Sequence, residues 1–246
     1  MKKLLWLGLL IVVSTQIFSL NVPKLQGRIN DYANILNSKQ KAELEAFLHS
    51  QEMKTSSQIA VLIIPSLRGE NLEDYSMKVV EKWKLGQKEF DNGVLLLIAL
   101  SEKKIRIEVG YGLEHILTDM KCGYIIRNII VPEFKKGNFY RGIFDGLQAI
   151  SGLITNEFVI TDEQLAKYRE SQKKSSAASV PFGLIIFIFF LLISSRRRGR
   201  GGLLPMIFLG SMLGGRGGRG GSGFGGFGGF SGGGGGFGGG GASGGW

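Results

Sequence analysis

A continuous apolar run, Val94-Leu95-Leu96-Leu97-Ile98-Ala99-Leu100, follows the turn-forming triplet Asp91-Asn92-Gly93. A run of this length has neither helical nor alternating periodicity; it is the pattern of a strand covered on both faces. After the polar connection Ser101-Glu102-Lys103-Lys104 comes Ile105-Arg106-Ile107-Glu108-Val109, where apolar and charged residues alternate. That alternation predicts a strand with one wet face. The connection is too short for a crossover, so the two strands are expected to pair as an antiparallel hairpin. Its outer ends then meet: Asp91 and Asn92 beside Gly110, Tyr111, Gly112 and Glu114, with Thr118 and Asp119 one turn further on. Oxygen-bearing side chains gather at one sheet end, where any chemistry is expected.

The hairpin sits in a run of regular elements. Asn37 and Gln40 form a capping-box pattern before a helix with Leu44, Phe47 and Leu48 on its apolar face. Residues 58–64 read as a strand ended by Pro65. Asn71 caps a second helix in which Leu72, Tyr75, Val79, Val80 and Trp83 keep helical spacing. A helix around residues 122–131 is expected to stop at Pro132, and Asn138 to cap a last helix with Tyr140, Ile143, Phe144, Leu147, Ile150 and Ile154. Strand, helix, strand is a right-handed crossover unit, so residues 58–64 should run parallel to 94–100. The expected fold class is α/β: a three-layer α/β/α sandwich with a small mixed sheet, spanning residues 22–156.

The ends differ in character. Lys2 and Lys3 followed by an apolar run read residues 1–19 as a secretory signal peptide. Residues 157–176 are a polar stalk. Residues 177–195 contain no charge, enough for a helix of about 28 Å that crosses a bilayer core. Arg196-Arg197-Arg198-Gly199-Arg200 follows at once and reads as a cytoplasmic stop, placing the domain outside the cytoplasm and the tail inside. The apolar patch at 203–213 is interrupted by Pro205 and Gly210 and reads as interfacial. From Gly199 onward 26 of 48 residues are glycine, so residues 196–246 are expected to be an arginine cluster and a disordered low-complexity tail. The net charge of +10 dissolves on inspection. Eight of the 30 basic residues lie in the leader and after Ser195, and the remaining 22 face all 20 acidic ones. That near-balance argues against nucleic acid as a partner, and Arg216-Gly217-Gly218-Arg219 is read as linker composition. Cys122 is alone, so neither a disulfide framework nor a cysteine metal site is expected, and its apolar neighbours predict burial.

Several segments carry a resemblance. Gly27-Arg28-Ile29-Asn30-Asp31-Tyr32-Ala33, Gln58-Ile59-Ala60-Val61-Leu62, Glu81-Lys82-Trp83-Lys84-Leu85-Gly86-Gln87, Asp91-Asn92-Gly93-Val94-Leu95-Leu96 and Gly110-Tyr111-Gly112-Leu113-Glu114 with Leu117-Thr118-Asp119 resemble the TPM domain. Leader, domain, span, arginine cluster and a glycine-rich tail reaching Gly-Ala-Ser-Gly-Gly-Trp resemble its bacterial members. The resemblance implies an α/β/α sandwich. In the family it also implies calcium binding by some members, acid phosphatase activity in a chloroplast relative linked to photosystem II repair, and a receptor-associated nematode relative. Lys88-Glu89-Phe90 and Met120-Lys121-Cys122 depart from the family's usual residues there.

Asp91, Asn92, Glu114 and Asp119 supply hard oxygen ligands of the kind calcium or magnesium prefers, with Asp31 as a further candidate. Set against this, Asp91-Asn92-Gly93 is also ordinary turn chemistry and Asp119 an ordinary helix-start residue. Gly110-Tyr111-Gly112 is an incomplete dinucleotide fingerprint after an antiparallel strand, so no nucleotide cofactor is expected. With only His49 and His115, zinc hydrolysis lacks ligands. Arg106 and Arg127 read as solvated charge. The expected function is a membrane-anchored extracytoplasmic binding or accessory domain with a divalent-cation site, assisting an envelope or membrane-protein partner. Its alternatives are a metal-dependent phosphatase-like hydrolase using Asp91 or Asp119, and a scaffold with neither metal nor activity.

Overall fold

The apolar run forms the middle strand of a mixed sheet. The computed structural model describes residues 20–177 and 231–246. In it, β1 (Ile29–Asp31), β2 (Gln58–Ile64), β3 (Gly93–Ala99), β4 (Lys104–Gly110) and β5 (Phe237–Gly245) lie side by side in that order. β1, β2 and β3 are parallel, β4 is antiparallel to β3, and β5 is antiparallel to β4. The expected hairpin and crossover are both present, with Val94 opposite Val109 and Ala99 opposite Lys104.

Helices α1 (Ser38–Thr55), α2 (Leu72–Trp83), α3 (Asp119–Ile125), α4 (Val131–Lys135) and α5 (Phe139–Thr155) cover the sheet, and α6 (Asp162–Ala177) follows. Asn37 and Gln40 exchange the two capping-box hydrogen bonds at 2.9 and 3.0 Å. The Asn71 side chain accepts from the Glu73 and Asp74 amides. Alternate strand residues point to opposite faces and build two cores. Ile59, Val61, Ile63, Val94, Leu96 and Ile98 pack with Leu44 and Leu48 of α1 and Ile143, Leu147 and Ile150 of α5. Ala60, Leu62, Leu95 and Leu97 pack with Tyr75, Val79, Val80 and Trp83 of α2. This is the expected three-layer sandwich, and each fully buried Leu, Ile or Val stabilises it by about 1.5–3 kcal/mol.

Four expectations need correction. Pro132 does not end its helix. A π turn (Ile126–Ile130) links α3 to α4, and Pro132 stands in the first turn of α4, where its missing N–H costs no intrahelical bond. Asn138 makes no side-chain cap for α5, its amide donating to Glu133 instead. The expected stalk (157–176) contains the helix α6, which from Ala166 belongs to a second unit of the chain. The charged face of β4 is not wet, because Arg106 and Glu108 are both buried. Finally, the tail is not wholly without structure: Ser231–Trp246 is described, and β5 within it adds the fifth strand at the β4 edge. Backbone hydrogen bonding to a preformed edge supplies what a glycine-rich segment cannot supply alone. A tail lying across a bilayer from its own domain could not form this strand.

The expected signal peptide (1–19) lies outside the described residues. So do all but Ala177 of the expected transmembrane helix (177–195), the arginine cluster and the tail as far as Phe230. Among the described residues, no helix is long and apolar enough to cross a membrane.

Candidate functional site

The two ends of the hairpin meet as expected, held together by close backbone approach. Asp91 adopts the left-handed conformation at φ 47°, which a short polar side chain tolerates, and its carbonyl oxygen accepts the Gly112 amide at 3.1 Å. A methyl group on Gly110 or Gly112 would overlap the Asp91 or Phe90 carbonyl oxygen, so both glycines are there for space. Asn92 is buried, and its side chain is committed to the fold: Oδ1 accepts the Gln87 amide and Nδ2 donates to the Ser56 carbonyl, both at 2.9 Å.

The three remaining rim carboxylates face one object, the β5 segment. Asp91 Oδ1 accepts the Gly236 amide at 2.6 Å, and Asp119 Oδ1, at the first residue of α3, accepts the Gly241 amide at 2.8 Å. Glu114 lies against Gly240 so closely that a β-carbon there would overlap its carboxylate. Among the described residues, none of the three is ion-paired.

Asp31 is not part of this rim. It pairs in register with Ile63, which pairs with Ile98 at the opposite end of β3 from Gly93. Its carboxylate accepts the Ala33 and Leu36 amides at 3.1 and 3.0 Å and sits 3.3 Å from Lys41 Nζ. It holds the β1–α1 connection.

Residues outside the expected set complete the seat of the strand. Arg106, 7% exposed, gives its Nε to Glu108 Oε2 at 2.7 Å, its Nη2 to the Gly239 carbonyl at 2.9 Å and its Nη1 to Ser243 Oγ at 3.2 Å. Ser243 Oγ in turn donates to Glu73 at 2.6 Å, which holds that carboxyl below its ordinary range. Gln58 accepts the Gly233 amide and donates to the Ser231 carbonyl, at 3.3 and 3.2 Å. The Tyr111 ring lies over Gly236 and Gly238. The Trp246 ring meets Phe134 and Phe139 edge to face, with centroids 4.9 and 6.1 Å apart. Sequence reasoning missed Gln58, Glu73, Ser243 and Trp246. The available signal was the placing of Phe237, Ala242 and Trp246 among glycines, the sparse side chains of a strand rather than of a linker.

His115 is exposed, and His49 lies beside Arg28 on α1. Cys122 is buried, and burial first, with the Asp119 charge second, pushes its thiol up to about 12. Among the described residues, no group of three or more His, Cys, Asp and Glu could hold a metal ion. While β5 is docked, Oδ1 of Asp91 and of Asp119 is taken up by strand amides.

The TPM domain family model matches residues 29–153, all five quoted sheet and rim segments from Ile29 on included. The chain belongs to the TPM domain family. No curated protein matches it. Among solved structures, this TPM domain is similar to the N-terminal domain of a protein from P. gingivalis, a solution NMR structure at 29% identity and TM-score 0.50, covering 53% of this chain and 83% of that one. The BA42 protein of the psychrophilic bacterium Bizionia argentinensis matches at 23% identity and TM-score 0.46, over 55% and 91% of the two chains. The N-terminal domain of the cg2496 protein of Corynebacterium glutamicum matches at 13% identity and TM-score 0.43, over 57% and 86%.

Proposed function

We propose that this TPM protein is an extracytoplasmic binding or accessory domain held at the membrane, with domain and terminal strand on one side of it. Its working surface is the β4 edge together with the acidic rim, and its chemistry is recognition of extended backbone. One observation carries this reading: Asp91 and Asp119, from two separate segments, each accept an amide of the same terminal segment, at Gly236 just before β5 and Gly241 within it. Carboxylates aimed at backbone N–H groups make charge-assisted hydrogen bonds, stronger than those between neutral groups. Hydrogen exchange on the full-length chain tests it. The amides of residues 240–243 exchange slowly in the wild type and at least tenfold faster in Gly241→Ala, because that position has φ +127° and no room for a β-carbon. Rapid exchange in the wild type sinks the reading.

A second reading, the divalent cation, draws on the three carboxylates without ion-pair partners. A cation that took Oδ1 of Asp91 and Asp119 would displace the strand amides those oxygens accept. Calcium added to the full-length chain should then speed exchange at Gly236 and Gly241. Exchange unchanged by calcium at every concentration removes the cation from the function.

A further inference from the structure

We propose that the β4 groove also accepts the β5 segment of a second copy of this chain, so that copies exchange strands in trans. This rests on the strand-recognition reading above and names its partner. The groove selects by the absence of side chains. A β-carbon on Gly238 would overlap the Tyr111 ring, on Gly240 the Glu114 carboxylate, on Gly241 the Ile107 carbonyl, and on Gly244 the Ile126 side chain. An ordinary strand, with a side chain at every position, cannot lie here. The segment must also bring Phe237 to the α2-side core and Trp246 to Phe134 and Phe139. Few sequences meet both demands, and every copy of this chain contains one that does.

Chain length supplies the second argument. Residues 178–230, 53 of them, separate the described part of α6 from Ser231. Fully extended, that many residues reach at most about 170–190 Å, so the covalent connection does not by itself confine a strand to its own domain. Adding an extended segment to an open sheet edge is a recurrent mode of recognition, and exchanging an identical element between copies creates no interface that the monomer lacks.

The test uses the full-length chain in detergent micelles and a fluorescently labelled peptide of residues 231–246 as the second copy's strand. Trp246→Ala in the protein loosens the resident strand without altering the groove, and circular dichroism checks that its fold is kept. Ser243→Ala is the substitute if it is not. The peptide binds the loosened protein saturably, and the wild-type protein more weakly, because there the resident strand competes. A Gly241→Ala peptide binds about tenfold more weakly or worse. Two results overturn the proposal: no saturable binding to the loosened protein up to about 1 mM peptide, or equal binding of the Gly241→Ala peptide. If either occurs while the wild-type amides at 240–243 remain protected, the strand docks only within its own chain and the functional reading above stands. If those amides are unprotected as well, both fall.

Discussion

Replacing Arg106 with methionine tests whether the charged alternation of β4 is buried chemistry or solvated surface. The side chains of Arg106 and Glu108 are 8% and 0% exposed, and Nε lies 2.7 Å from Oε2. That oxygen also accepts Ser76 Oγ at 2.7 Å, while Glu108 Oε1 has no hydrogen-bond partner. Arg106→Met therefore leaves a buried carboxylate with one neutral hydroxyl. Removing one member of a buried pair costs about 3–5 kcal/mol, which for a domain of this size lowers Tm by about 6–20 °C. The double variant Arg106→Met/Glu108→Leu replaces the pair with apolar volume and returns to within about 2 kcal/mol of the wild type. It does not restore the donors to Gly239 and Ser243, so tail amides exchange faster in both variants. Urea unfolding followed by circular dichroism reads the first effect, and hydrogen exchange of residues 231–246 reads the second. A loss below about 1 kcal/mol in the single variant, the cost of an exposed pair, would refute the burial argument. A double variant as unstable as the single would do the same.

Asp31→Ala should destabilise the domain by about 2–3 kcal/mol, through the amides it leaves without an acceptor, yet leave tail exchange unchanged; faster tail exchange would return Asp31 to the rim. Leu96→Ala, at the centre of the sheet, should cost about 2–5 kcal/mol in urea unfolding. The Ser243 hydroxyl, helped by Arg106 and Lys104, lowers the Glu73 carboxyl from its ordinary 4.5 against the opposing effect of burial. A depressed carboxyl adds stability above its unfolded value and loses it as pH falls through the folded one. Tail protection measured by hydrogen exchange should thus decline below about pH 4.5, and decline less in Glu73→Gln. Cys122, with its thiol pushed up to about 12, should resist alkylation at pH 8 until denaturant is added; ready labelling of the native protein would show that α3 is not packed as described.

The parts of the fold written in local chemistry were legible. The apolar run of β3, the Asn37–Gln40 capping box, the Asn71 cap and the spacing of Tyr75, Val79 and Trp83 each led to the observed element, because each depends on neighbours a few residues away. What failed depends on distant chain. Arg106 and Glu108 alternate like a wet face, but α2 and the last strand, far away in sequence, cover them. Gly110 and Gly112 matched part of a dinucleotide fingerprint, whereas it is the approach of the Phe90–Asp91 backbone that requires them. Asp31 could not be placed until the parallel register of β1 put it at the far end of the sheet. The meeting of Asp91 with Gly110 and Gly112 followed from hairpin geometry alone. The strand lying against them did not, since strand propensity gives glycine the opposite sign.

A sheet with an edge strand that is two-thirds glycine has a border that is cheap to uncover. Beneath it, β4 presents a full row of amides and carbonyls beside Ile105, Ile107 and Val109, the kind of flat boundary that neighbouring molecules join without limit. Cleaving off residues 231–246 with a protease would therefore do more than shorten the chain: it would turn a covered sheet edge into one prone to stacking, with the damage growing with protein concentration.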